Sequence, residues 1–314
     1  MNRFFLQWQV AIVLSGCVSF MVTGCTASGP LSTSASTGSK TLQTCGPFDH
    51  SHAAFDRLLK RFVKNGLVNY HGLLTQSDAF YAYLQALGAV DPASMYAWSR
   101  EQQMAYWINA YNAFTIQAVV ERYPITERSL VGLFFPRNSI LQISGIWNRL
   151  EYNAGGQQVT LGQIEHEILR EAFDDPRIHF AIVCASTSCP ALRAEAYRFD
   201  IFERQLHEQT IAFINDPKRG VRWDKAKKRL YVSKIFKWFK TDFQSSEAIA
   251  QPSKQTDPIL NPVVAFIRPY LGNRTIQEAL ASNRDVRLSY LPYDWHLNEQ
   301  IWPADMSESS GTDG

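Results

Sequence analysis

The sequence predicts an α+β protein: a single helix-rich mixed domain around a small β-sheet. Three observations point there. Several long runs place apolar residues at helical spacing, a few short segments alternate around turn residues, and no repeat or linker interrupts residues 45–305. An apolar share of 46% over 314 residues is ample for a buried core.

The elements follow in order. "HAAFDRLLKRFVKNGLV" (52–68) has helical periodicity, and Gly66 would end it as a C-terminal cap. "QQMAYWINAYNAFTIQAVVERY" (102–123) is a longer helix, apolar nearly all round and hence buried, with Pro124 just beyond it. "RLEYNAGGQQVTL" (149–161) alternates on both sides of a Gly-Gly pair and reads as a hairpin. Thr160 and Gln163 then form a capping box for the helix "LGQIEHEILREAF" (161–173). "RIHFAIVCAS" (177–186) has the β-branched and aromatic character of a central strand, and "CPALRAEAY" (189–197) restarts a helix. Asp200 and Glu203 cap "IFERQLHEQTIAFI" (201–214), a hairpin is expected at 221–223 and 229–233, and a helix near 259–271 precedes "VRLSYLPYDWHLN" (286–298). The densest basic run, "KAKKR" (225–229), falls at the solvated turn of that hairpin, and the formal charge is only +2. Nucleic acid is therefore not an expected partner. Aromatic residues, 13% of the chain, are scattered through periodic segments and are expected mainly in the core.

The N-terminus is distinctive. One positive charge in "MNR" is followed by an apolar run through Val22, interrupted by Gln7 and Gln9, and then by "VTGC" and a Ser/Thr/Gly-rich stretch. This reads as a secretory signal rather than a spanning helix. Its ending resembles the lipobox of bacterial lipoproteins, with Cys25 as the lipidated residue; "LSGC" ending at Cys17 is a rival, and an ordinary signal cut near Ala27 is a third option. The expected organisation is a signal peptide over 1–24, a tether over 25–44, a globular domain over 45–305 and a disordered tail over 306–314. Residues 26–44 carry too few large apolar groups to fold and would reach about 25 Å as a random coil. The expected location is the periplasmic face of a bacterial envelope, lipid-anchored, on the outer membrane rather than the inner. Export implies an oxidising compartment, where Cys45, Cys184 and Cys189 remain after processing at Cys25 and leave one thiol odd.

"CASTSCPALR" (184–193) looks built for chemistry. Pro190 suits the first position of a helix, which would put Cys189 at the N-cap, where free N–H groups favour a thiolate. Three alternatives stand beside a nucleophilic Cys189: a disulfide with Cys184, pairing with Cys45, and a plain structural role. A nucleophile needs a base. If 178–184 is a strand, its rise carries His179 more than about 15 Å away, whereas His166, and His296 oriented by Asp294, remain within possible reach. Asn109 and Asn112 share one face of an apolar helix and must be hydrogen-bonded, either in an internal network or lining a pocket. "DHSH" (49–52) has only a faint metal-site look. No cofactor and no metal is expected. Thiol–disulfide exchange between Cys184 and Cys189 ranks lower, because four intervening residues depart from the spacing that shares one helix end.

Together "GLVNYHGL" (66–73), "YWINAYNAFTIQAV" (106–119), "VTLGQIEHEILR" (159–170), "RIHFAIVCASTSCPALR" (177–193), "VSKIFKWFKTDF" (232–243) and "LPYDWHLN" (291–298) resemble the domain-of-unknown-function 547 family, DUF547. The resemblance spans roughly residues 48–300. Bacterial members carry export signals, and the domain also occurs in plant and animal proteins, sometimes beside glutaredoxin-like domains. It implies no established substrate. The matching positions are Asn109, Tyr111, Asn112, Glu165, His166, His179, Cys189, Pro190, Asp294 and Asn298; His296 falls where relatives carry a small polar residue, which favours His166 as base. A papain-like general layout is the expected arrangement. The leading expectation is an envelope-anchored thiol hydrolase or acyl/amide transferase: Cys189 attacks a carbonyl, His166 is the base, Asn112 orients or polarises, and Asn109, His179, Arg193, Asp294 and Asn298 line the pocket. Cell-wall peptide cross-links or protein amides would be its substrates. The second expectation, from another class, is a non-catalytic binding or scaffolding lipoprotein with Cys184 and Cys189 bonded.

Overall fold

The structure, a computed structural model, describes residues 48–126, 133, 135–245, 262–282 and 286–300. All of them fall in one contact-defined unit, Pro47–Gly314. The signal, the tether, Cys17, Cys25, Cys45 and the tail lie outside the described residues.

Helix α1 (Ala53–Phe62) turns Phe55, Leu58, Leu59 and Phe62 inward. It stops earlier than its periodicity suggests. Residues 63–68 form a hairpin of β1 (Val63–Lys64) and β2 (Leu67–Val68), with Asn65 and Gly66 both at positive φ. Asn-Gly is the preferred pair for such a turn. Gly66 is therefore a hairpin residue rather than a helix cap, and a β-carbon there would lie 2.5 Å from Ala191 Cβ.

Helix α2 (Asp78–Gly88) packs near the central helix α3 (Arg100–Val120). Ser99 and Gln102 form a reciprocal capping box at the start of α3, and almost every residue from Met104 to Val120 is buried, as its apolar circumference requires. The hairpin of β3 (Glu151–Ala154) and β4 (Gln157–Thr160) turns at Gly155 and Gly156, both at positive φ, and Thr160 with Gln163 makes the expected capping box. The helix that follows is not uniform: Leu161–Gln163 is α-helical, Ile164–Arg170 is a π-helix, and Glu171–Phe173 returns to α.

Two expectations fail in the next stretch. Residues 178–181 form a short helix, α4 (Ile178–Ala181), not a strand, and no helix forms over residues 189–197. The reason lies in where the backbone hydrogen bonds go. Asn112 donates to Ala181 O at 3.0 Å and accepts from Val183 N at 2.8 Å, doing for this segment what a neighbouring strand would do. Asn109 does the same for Tyr197, donating to its carbonyl at 2.7 Å and accepting from its N–H at 3.0 Å. From α5 (Phe202–Ile214), Gln209 donates to Phe180 O and Ala191 O, while Gln205 donates to Ala196 O and accepts from Arg198 N. Four buried amides thus satisfy an irregular chain. Asp200 pairs with Arg198, and no side chain caps the start of α5.

The remaining sheet joins β5 (Val221–Asp224) and β6 (Arg229–Val232) antiparallel, and β6 to β7 (Arg287–Tyr290) in parallel. Instead of one small sheet there are three among the described residues. Helix α6 (Ile235–Trp238) follows β6, and α7 (Pro262–Ile267) with a 3-10 turn at Arg268–Tyr270 occupies the region of the last expected helix. The larger core surrounds α3; the second gathers Phe180, Phe213, Phe236, Phe243 and Phe266. The fold is thus helix-rich and mixed α+β.

Candidate functional site

The π-helix Ile164–Arg170 positions a cluster of polar side chains. Its hydrogen bonds run to the fifth residue, which widens the turn, and such turns concentrate at functional sites. Ile164, Glu165 and Leu169 are buried, while His166 and Arg170 are partly exposed.

Arg170 grips Asp242 with two hydrogen bonds, Nε to Oδ2 at 2.6 Å and Nη2 to Oδ1 at 2.8 Å. His179, buried, donates from Nε2 to Asp242 Oδ2 at 2.8 Å. Arg170 Nη1 also donates to His166 Nδ1 at 2.9 Å, so the proton of a neutral His166 sits on Nε2. Phe239 covers the group, 3.9 Å from the His179 ring and 5.1 Å beneath the Arg170 guanidinium. Burial pushes the Asp242 carboxyl up, but the hydrogen bonds from Arg170 and His179 outweigh it and hold the group well below the usual carboxylate range. The Asp242 hydrogen bond in turn raises Arg170. A cavity of about 250 Å³ opens here, lined by His166, Arg170, Glu171, Asp174, Asp175, Pro176 and Asp242.

A second cluster surrounds the cysteines. Cys184 and Cys189 are joined in a disulfide with Cα atoms 6.1 Å apart. The Cys184 N–H donates to Cys189 Sγ at 2.9 Å. Cys184 Sγ lies 3.2 Å from Ser186 Oγ and 3.3 Å from the Tyr293 hydroxyl, and Ser186 Oγ donates to that hydroxyl at 3.2 Å. Burial raises the Tyr293 phenol. Nearby, Tyr111 donates to Glu165 at 3.2 Å, and its phenol is raised by burial and then by the Glu165 charge. Trp238 stands against Tyr293 at 4.7 Å, while the next residue, Phe239, faces His179, so the end of α6 separates the two clusters.

The loop 184–189 is fastened from outside. Thr187 N–H donates to His296 O, Ser188 N–H to Asp294 O, and Asn298 N–H to Ala185 O. Asp294 N–H donates to Ser188 Oγ at 2.8 Å, and Arg219 Nε to Thr187 O at 2.9 Å.

Several expected roles change. Cys189 is not a helix N-cap, and its sulfur is bonded to Cys184 and accepts an amide hydrogen; neither partner is an imidazole. The premise for a helix-activated thiolate is corrected on that geometry. His166 instead meets Arg170, with Asp242 and His179 beyond it. Asn109 and Asn112 each bond backbone through both ends of the amide, as the internal-network alternative requires. Asn298 accepts from Tyr70 at 2.7 Å and donates to Gly66 O, a structural use. Arg193 is spent on Gln205 O, Glu195 and Glu208. Asp294 and His296 do pair, at 2.6 Å, on the exposed surface. In "DHSH", Asp49 accepts from Ser51 and Ala53, while His52 pairs its Nδ1 with the Tyr83 hydroxyl at 2.8 Å. Among the described residues no group of three or more His, Cys, Asp or Glu could hold a metal ion.

Residues that sequence reasoning missed include Asp242, Tyr293, Gln205 and Gln209. The only signal for the first two was membership of the quoted segments "KWFKTDF" and "LPYDWHLN".

The fold and site define a helix-rich α+β protein with a cystine loop beside a part-buried His-Asp-Arg network. Residues 95–214 match the family described as "Protein of unknown function, DUF547", which supports the resemblance over less than half of the chain. The match covers α3, the π-helix, the cystine loop and α5, and stops short of Asp242 and Tyr293. No curated protein and no solved structure matches the chain.

Proposed function

We propose that this is a lipid-anchored protein of the bacterial envelope whose domain binds or scaffolds rather than performing thiol hydrolysis. The observation that carries the reading is the Cys184–Cys189 disulfide: a sulfur so bonded offers no thiolate to a carbonyl. The amides of Asn109 and Asn112, committed to backbone, support it further. The ligand groove moves from the asparagine face to the cavity beside His166, where Glu171 and Asp174 add carboxylates to the Arg170–Asp242 pair. The "VTGC" ending and the polar stretch after it support the anchor. Among the described residues no helix is long and apolar enough to cross a membrane.

Thiol counting on the processed protein, denatured without reductant, tests the reading. Only Cys45 should react; reactive Cys184 and Cys189 would return the thiol-enzyme reading with Cys189 as nucleophile. Cys25→Ser should release the protein from the membrane fraction. Release by Cys17→Ser instead would move the anchor.

A further inference from the structure

We propose that the Cys184–Cys189 cystine is an exchange centre that accepts two electrons from an external dithiol, with attack at Cys184 Sγ and Cys189 as the leaving group. This rests on the same bond as the proposed function and goes beyond it by assigning that bond a class of partner.

The two sulfurs are not equivalent. Cys184 is partly exposed, whereas Cys189 is 5% exposed, so an incoming thiolate meets Cys184. The sulfur that leaves has a donor already aimed at it, the Cys184 N–H at 2.9 Å. A donor of that kind stabilises the departing thiolate, and a leaving thiol of lower pKa departs faster. The backbone supplies here what a helix N-terminus supplies at closer cysteine spacings. On the other side, Ser186 Oγ donates to the Tyr293 hydroxyl, which leaves the phenolic hydrogen free for Cys184 Sγ at 3.3 Å. The C-terminal segment and Arg219 hold Thr187 and Ser188, keeping the opened ends close for reclosure.

The partner's first thiolate attacks Cys184 Sγ, and the Cys184–Cys189 bond breaks with its electron pair going to Cys189. The product is a mixed disulfide between the partner and Cys184. The partner's second thiol loses its proton and attacks its own sulfur in that mixed disulfide, expelling Cys184 as thiolate. Both cysteines take up protons. The partner leaves as a disulfide, and two electrons and two protons have passed to this protein.

The test uses the full processed chain with Cys45 blocked by alkylation under native conditions. A peptide carrying Cys-x-x-Ser has one thiol and stops at the mixed disulfide. After acid quenching, alkylation and digestion, mass spectrometry should find the peptide on Cys184 in at least about tenfold excess over Cys189, with tryptophan fluorescence still native. An adduct mainly on Cys189, or none until denaturant is added, overturns the proposal. A bond that forms but does not exchange leaves the proposed function standing, whereas two free thiols at the outset overturn both.

Discussion

His179 and Asp242, 63 residues apart in sequence, share a 2.8 Å hydrogen bond, and the same carboxylate holds both nitrogens of the Arg170 fork. Removing the carboxylate strands a guanidinium and an imidazole. Asp242→Ala is expected to cost about 1–3 kcal/mol, since it removes charge-assisted hydrogen bonds from a part-buried pair. The urea midpoint measures it, and an unchanged midpoint would show the network to be dispensable.

The same carboxylate has a pH signature. Its folded pKa lies below the unfolded value, so its stabilisation is full above the usual carboxylate range and is lost as pH falls through that range toward the folded value. The acid-induced drop in stability below about pH 4 should therefore be shallower in Asp242→Asn than in the wild type. Urea titrations between pH 5 and 2, read for slope, decide this.

His52 acts in a higher window. Burial lowers its pKa from 6.5 to about 3, so the folded protein keeps the ring neutral while the unfolded chain takes up a proton. Stability falls as pH drops below 6.5, by about 1.4 kcal/mol per unit at most from this one group. Between pH 6.5 and 5 the loss is about 1.6 kcal/mol, and His52→Asn should remove most of it. Equal pH slopes for the two proteins would sink the assignment.

Asn112→Ala should be among the more damaging single changes in α3. It leaves Ala181 O and Val183 N buried without partners, at about 1–3 kcal/mol each. Asn112→Asp keeps an acceptor for Val183 N but loses the donor, so it should fall between Ala and wild type in thermal midpoint.

Gly66→Ala forces a side chain into positive φ and against Ala191 Cβ. A loss of about 1–2 kcal/mol is expected, and Asn65→Gly should cost far less because the turn tolerates it. Comparable losses for the two would mean that the turn, not the close approach, sets the cost.

Much of this was legible in the chain. The 3.6-residue rhythm of 102–123, the capping box at Thr160 and the Gly-Gly hairpin follow from local rules that the tertiary structure leaves alone. The segment 177–197 departs from its expected strand and helix because a short apolar run does not separate strand from helix, and because its backbone is satisfied by side chains from elsewhere. Gln205 and Gln209 look like the solvent face of an amphipathic helix until the irregular segment is laid across them. Asp242 sits in a charged and aromatic stretch where nothing local distinguishes it from a solvated acid. The proximity of Cys184 and Cys189 was open in the sequence because it depended on whether 178–184 extends, and it does not.

Asn298 ties three distant places together: its carbonyl accepts from Val68, its N–H donates to Ala185, and its side chain accepts from Tyr70. The first hairpin and the cystine turn are thus both waiting on a strip of chain 228 residues beyond Tyr70. Neither turn is completed by its own neighbourhood: a fragment that stops short of Asn298 keeps the residues of both turns and loses the hydrogen bonds that join them.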